Sequence, residues 1–217
     1  MEGRSLSVQA QPTRPLTPDE YLRLERQAET RSEYWDGQVY ALAGASQRHT
    51  IIVANILALA VTQFKGRPCT AHASDLRVKV RPTGLYTYPD VVIVCGRARF
   101  EDRRRDTLLN PTVIIEVLSP STEAYDRGTK FEHYRTLDSL SDYLLVAQGS
   151  PTVEHFERQP DDKWLLGTYK GPQAIASIAS AGCNLPLVDV YDKVEWPDEE
   201  TAAGILRVVK ELDAEYR

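Results

Sequence analysis

Continuous apolar runs punctuate the chain. Val91-Val92-Ile93-Val94, Thr112-Val113-Ile114-Ile115 and Tyr143-Leu144-Leu145-Val146 have the pattern of strands buried on both faces. A different period marks the helices. Thr17-Pro18-Asp19-Glu20 joins a capping threonine, a proline at the first helical position and a glutamate that completes a capping box, and so predicts a helix to about Ala28. Ser46 begins a second, with Ile51, Ile52, Asn55, Ile56, Leu59 and Ala60 near helical spacing to about Phe64. Between them, Asp36-Gly37 predicts a tight hairpin turn, since both central positions favour positive φ.

The remaining pattern predicts more strands. Cys69 to Val80 and Tyr86 to Val94 read as two runs around a turn at Arg81-Pro82-Thr83-Gly84. Within the first, Leu76, Val78 and Val80 alternate with Arg77, Lys79 and Arg81, which predicts one apolar and one basic face. Thr152 to Glu157 and Lys163 to Tyr169 predict an outer hairpin, and Ala174 to Ile178 an edge strand. Strands interleaved with helices give an α/β domain around a mixed sheet. The first fifteen residues lack periodicity and read as a disordered tail. Residues 16–196 read as one domain, and 197–217 as an amphipathic helix with Ile205, Leu206, Val209 and Leu212 inward.

Composition narrows the function classes. The chain has 217 residues, 42% hydrophobic and 26% charged, as in soluble globular proteins. No apolar run reaches the ~18 residues of a membrane span, and the N-terminus lacks a signal-peptide core, so a cytoplasmic location is expected. Cys69, Cys95 and Cys183 are widely spaced with no CxxC; they read as buried, reduced thiols. His72, His133 and His155 share no metal-ligand spacing and read as surface residues. A net charge of −5 gives no basic footprint, although a loop from Gly96 to Asn110 carries Arg97, Arg99, Arg103, Arg104 and Arg105. Its ordinary reading is a solvated, mobile loop, with phosphate contact as the alternative.

One charge does not fit its surroundings. Glu116 interrupts the buried run that begins at Thr112, and an unpaired charge in such a strand costs several kcal/mol by the order of Born estimates. Asp90, after Pro89, precedes the neighbouring buried run. Adjacent strands lie ~4.8 Å apart, so the two carboxylates are candidates to share a hard cation such as Mg²⁺ or Mn²⁺. Asp126, Lys130, His133 and Tyr134 then recur three or four apart on one helical face. Simpler roles exist for several of these: a turn acid at Asp90, an Asp126–Lys130 helix pair, a structural Glu33, a helix cap at His49.

Pro89-Asp90, Glu116-Val117-Leu118-Ser119-Pro120-Ser121-Thr122, Asp126, Lys130 and Tyr134, together with Glu33, Asp36-Gly37 and His49, resemble the Uma2 family of the PD-(D/E)XK nuclease superfamily over roughly residues 16–195. The resemblance implies a restriction-endonuclease-like mixed β-sheet core flanked by helices, with an additional β-hairpin. It implies an Mg²⁺-dependent endonuclease acting on DNA, with Mn²⁺ able to substitute. Asp90, Glu116 and the Val117 carbonyl would hold metal; Lys130 would act at the attacking water or the phosphate; Glu33 and Tyr134 would support them. A homodimer is the simplest way to cut two strands. The sequence departs from the superfamily at Leu118, where a lysine is usual; Lys130, on the following helix, takes that place. The main competing reading is an inactive module of the same fold that binds nucleic acid or a protein. A carboxylate-pair glycosidase is weaker, because aromatic residues are only 8% of the chain and Lys130 would have no role.

Overall fold

A computed structural model describes residues 14–196; the expected C-terminal helix and nearly all of the expected tail lie outside them. The elements run α1 (Pro18–Glu25), β1 (Ser32–Trp35), β2 (Gln38–Ala41), α2 (Gln47–Gln63), β3 (Cys69–Ala73), β4 (Arg77–Val80), β5 (Leu85–Thr87), β6 (Val91–Cys95), β7 (Thr107–Leu108) and β8 (Val113–Leu118). A helical segment follows, made of α3 (Glu123–Tyr125), a π turn over Asp126–Lys130 and α4 (Phe131–Tyr134). Then come β9 (Asp142–Ala147), β10 (Thr152–Arg158), β11 (Trp164–Lys170), β12 (Ile175–Ile178), β13 (Cys183–Pro186) and α5 (Leu187–Val190).

The central sheet has the order β11-β10-β9-β8-β6-β3, and a second sheet the order β2-β1-β5-β4-β7. The central sheet is mixed: β8 pairs parallel with β9 and antiparallel with β6. Every residue of β8 is buried, as its apolar run predicts. Val113, Ile115 and Val117 pack with Ile52 and Ile56 of α2 and with Leu185 and Leu187. Ile114 and Leu118 pack on the opposite side, with Val78, Leu108, Tyr134 and Tyr143. Glu116 shares the parity of Ile114 and Leu118, so alternation points its carboxylate toward the second sheet and the helical segment.

Local signals fix the ends of these elements. Thr17 and Glu20 form the expected capping box, although α1 stops at Glu25 and not Ala28. Ser46 caps α2 by accepting from the His49 amide at 3.2 Å. Asp36 (φ 48°) and Gly37 (φ 80°) make the β1–β2 turn. A Cβ at position 37 would lie 2.5 Å from the Pro15 Cβ as well as occupying a left-handed backbone. Gly37→Ala should therefore cost roughly 1–3 kcal/mol. Thermal unfolding should show a melting temperature lower by about 2–12 °C, at roughly 2–4 °C per kcal/mol for a chain of this size; no change would mean that Pro15 does not pack there.

Several expectations need correction. The run from Cys69 to Val80 is two strands in different sheets, separated by a turn closed by the Leu76 amide on the Ala73 carbonyl. Its basic face is not solvated at Arg77, which is 3% exposed. Arg77 donates to Thr107 Oγ1 at 3.0 Å and Tyr88 Oη at 2.6 Å, and its guanidinium lies 3.5 Å from Asp106. The loop after Gly96 is tied to α1 by Arg26, which bonds Asp102 and Asp106 at 2.7 Å each, while its own arginines remain exposed. β12 pairs with β13 in a separate ribbon and does not edge the central sheet.

The cysteine and histidine readings change too. Cys69 and Cys95 are register partners on β3 and β6 and form a disulfide, a long-range pairing that spacing alone does not announce. Cys183 remains a buried thiol. His133 and His155 are buried, not surface residues. His155 points inward from β10 to Asp142 at 2.6 Å, and Ser180 donates to the same carboxylate. A buried imidazole is tolerated here because a carboxylate meets it.

Candidate active site

Strand register brings the two predicted acids together. Val91 opposes Ile115 across β6 and β8, so Asp90 and Glu116 are the next cross-strand pair. Each carboxylate then accepts from backbone beside the other. The Asp90 amide donates to Glu116 Oε2 at 3.2 Å, and the Val117 amide donates to Asp90 Oδ2 at 2.8 Å. The same Asp90 oxygen lies 3.0 Å from His49 Nε2. The Ser46 cap therefore has a consequence at the site: it starts α2 where its first turn delivers an imidazole to Asp90.

The helical segment supplies the cation. Lys130 is 6% exposed, and its Nζ lies 3.0 Å from Glu116 Oε1, 3.3 Å from Glu33 Oε1 and 3.4 Å from Asp126 Oδ1. A lysine fourteen residues beyond Glu116 thus stands against it, although Leu118 occupies the usual lysine position. The π turn lies within this segment, and such turns often mark functional sites. Tyr143 of β9 donates to the Asp126 carbonyl at 2.9 Å, a bond that competes with the regular helix ladder. Tyr134 donates to Glu116 Oε1 at 2.9 Å.

Glu33 arrives from the second sheet. It is 4% exposed, accepts from the Thr87 hydroxyl, and has the Tyr125 hydroxyl 3.5 Å from its other oxygen. Thr87 and Tyr134 hydroxyls are 3.2 Å apart. A chain of hydroxyls therefore links Glu33 to Glu116 alongside the lysine. Asp90, Glu116, Lys130, Glu33 and Tyr134 all meet in this one region. Val117 meets it through its amide. Asp126 and His49 belong to the residues that carry the family resemblance, but sequence reasoning assigns them no role at the site beyond a helix pair and a cap; it misses Thr87 and Tyr125. The last two are single hydroxyl residues with no distinguishing spacing.

The electrostatics are unbalanced. Three carboxylates (Glu33, Glu116 and Asp126) surround one ammonium group, and a fourth, Asp90, lies beside Glu116 against His49. Burial, and the nearby Asp90 and Asp126 charges, push the Glu116 carboxyl up to about 8 against the pull of Lys130. Burial also raises Asp126, again against Lys130. Burial opposes the charge on Lys130, but Glu116 and the other acids outweigh it and hold the ammonium well above its ordinary range. The cluster thus keeps its lysine charged and raises the proton affinity of Glu116 and Asp126.

Among the described residues, no three His, Cys, Asp or Glu side chains form a ready metal-binding group. The Asp90–Glu116 pair nonetheless suits a hard cation, which takes one or two carboxylates and completes its shell with carbonyl oxygen and water. The excess negative charge is the observation that favours the fit, because a dication would offset the crowded carboxylates and compete with protons for them.

Comparison with known proteins agrees with this arrangement of elements. The model of the Uma2 family, described as putative restriction endonuclease, matches residues 18–187. Two uncharacterized proteins of Synechocystis sp. are each 36% identical: slr1290 over 81% of this chain and 91% of its own length, and sll1609 over 75% and 92%. A crystal structure of a putative nuclease belonging to DUF820 from Anabaena variabilis superposes with a TM-score of 0.67, covering 83% of this chain and all of that one at 20% identity; at that identity the likeness shows a shared nuclease-like fold. No helix among the described residues is long and apolar enough to cross a membrane. With 170 consecutive residues under the family model, the chain belongs to the Uma2 family.

Proposed function

We propose that this protein is a divalent-metal-dependent endonuclease that hydrolyses DNA phosphodiester bonds at the Asp90–Glu116–Lys130 cluster. The observation that carries the proposal is a buried lysine held at 3.0–3.4 Å from three carboxylates, one of which faces Asp90 across adjacent strands. A purely structural ion pair needs one acid for one lysine.

Asp90, Glu116 and the Val117 carbonyl are the groups that would hold Mg²⁺, or Mn²⁺ in its place. When bound, the metal supplies an acidified water and charge stabilisation at the phosphate. The protein's own groups do the rest. Lys130 stays protonated, so it acts as a donor: it orients the attacking water and stabilises charge on the non-bridging phosphate oxygens. Glu33 and Asp126 hold the ammonium in place. Tyr134 fixes Glu116 Oε1, and His49 fixes Asp90 Oδ2. Water oxygen bonds to phosphorus, one ester P–O bond breaks, and the products are a phosphate monoester and a hydroxyl. A homodimer would carry two such centres related by a two-fold axis.

The test is nicking of supercoiled plasmid with Mg²⁺ or Mn²⁺. Wild-type protein should nick it, EDTA should stop the reaction, and Asp90→Asn should slow it by at least about a hundredfold, the scale expected on losing a metal-held water. Wild type as inert as Asp90→Asn on duplex DNA, single-stranded DNA and RNA would leave the inactive-module reading in its place.

A further inference from the structure

We infer that the site takes its nucleic acid as an unpaired strand, with bases stacked on Trp35, Tyr40 and Tyr125. The inference deepens the nuclease reading and rests on it for the class of substrate. Four aromatic residues are exposed among the described residues: Trp35 (39%), Tyr40 (50%), Tyr125 (36%) and Trp196. The first three border the acid–lysine cluster.

Register and contact place them there. Glu33 and Tyr40 are cross-strand partners, so their side chains share a face of the β1–β2 hairpin. Trp35, two residues beyond Glu33, lies on that face as well. It meets the helical segment edge-on, with its ring centroid 5.1 Å from that of His133. Tyr125 faces the cluster from the helical segment, with its ring centroid 5.7 Å from Lys130 Nζ and its hydroxyl 3.5 Å from Glu33. Leu42, 39% exposed, extends the apolar rim beyond Tyr40.

The chemistry of this rim selects its occupant. In a duplex the base faces are hidden in the stack, and the backbone offers aromatic rings nothing to stack on. An unpaired strand exposes those faces, and every base can stack on an aromatic ring. Gripping a duplex backbone requires free cations. Of the cations nearest in sequence to the three rings, Arg31 is paired with Asp75, Arg127 with Glu123 and Glu154, and Lys130 with its three acids; Arg48, beside His49, makes no ion pair among the described residues. One arginine is too few to grip a duplex backbone, and stacking is the interaction this face offers most of. Because stacking does not depend on the sugar, oligothymidine and oligouridine share the chemistry.

The experiment is fluorescence anisotropy on the full chain with Ca²⁺ present. The probes are labelled oligothymidine and oligouridine of ~12 nucleotides, within the span of known single-strand sites, and an oligothymidine–oligoadenosine duplex. The single strands should bind at least about tenfold more tightly than the duplex, and the tighter of the two names the sugar. Trp35→Ala and Tyr40→Ala should each weaken single-strand binding by roughly 5- to 150-fold, the range for one lost stacking partner. Trp35→Phe should restore most of it, and circular dichroism should show the variants folded. A duplex bound as tightly as the single strands, or truncations without effect, overturns the inference. So does a Trp35→Ala variant that only converts a dimer to a monomer in sedimentation, because the rim would then be a self-interface. Cleavage of single-stranded DNA separates the two claims. Cleavage unaffected by the aromatic truncations leaves the nuclease reading standing and removes the stacking rim; stacking-dependent binding without any cleavage does the reverse.

Discussion

Glu116→Gln is expected to make the metal-free protein more stable at pH 8 while abolishing metal binding and cleavage. The wild-type carboxyl is pushed from 4.5 up to about 8 by burial and by Asp90 and Asp126. For an acid whose folded pKa is raised, the stabilising contribution is complete below the unfolded value and disappears as pH climbs through the folded one. At 1.36 kcal/mol per pH unit, the gap between 4.5 and about 8 corresponds to an upper figure of about 5 kcal/mol. Glutamine removes that penalty but also one of the three acids that hold Lys130. The net gain should be about 1–4 kcal/mol at pH 8, as when other buried charges are replaced by neutral groups. At pH 5 the two proteins should differ by less than about 1 kcal/mol, because wild-type Glu116 is then protonated. Thermal unfolding across pH 5–8 checks this. A variant less stable than wild type at pH 8 would mean that the Lys130 pairing outweighs the crowding of acids. The same proton predicts that metal binding to wild type releases about one proton near pH 7 and tightens as pH rises toward 8.

Lys130→Met is expected to be the most damaging single change in the cluster. It leaves Glu33, Glu116 and Asp126 buried without the cation that each now has within 3.4 Å. Removing one partner of a buried ion pair typically costs about 3–5 kcal/mol, and here three carboxylates lose the same partner. The loss should grow with pH. Glu116 and Asp126 already titrate above their ordinary range, so at pH 5 they can neutralise themselves and relieve the variant. Lys130 itself remains charged throughout that window, because its folded pKa is raised above an already high value. Urea unfolding at pH 5 and pH 8 measures both the size and the slope. An equal loss at the two pH values would show that Lys130 matters through its packed stem and not through its charge.

The two variants explain what the sequence could reveal. A lone carboxylate in the Thr112–Leu118 run is a thermodynamic oddity visible without coordinates, and so is a second acid at the start of the next buried run. Local rules likewise exposed the Asp36-Gly37 turn and the Ser46 and Thr17 caps, since each depends on a few adjacent residues. The rest depends on contacts far apart in the chain. Glu33 and Lys130 are 97 positions apart and meet only when the second sheet closes over the helical segment. Arg77 looked like part of a wet basic face because alternation reports only two sides of a strand; Tyr88, Thr107 and Asp106 cover the second side. The break between β3 and β4 carries neither glycine nor proline, so the run appeared continuous. Cys69 and Cys95 had no spacing signal, and His155 needed Asp142 from a neighbouring strand to explain its burial.

A metal held between the two cross-strand acids, with the lysine beside it, is the centre of the proposed chemistry. Crystals of the wild-type chain soaked in Mn²⁺ at pH 8, with anomalous difference maps collected at the manganese edge, test this most directly. The account predicts one strong peak within ~2.0–2.3 Å of carboxylate oxygens from both Asp90 and Glu116, with Lys130 Nζ about 4–5 Å from the ion. A map with no peak there, or a peak elsewhere while the Asp90–Glu116 pair keeps its backbone hydrogen bonds, would contradict it.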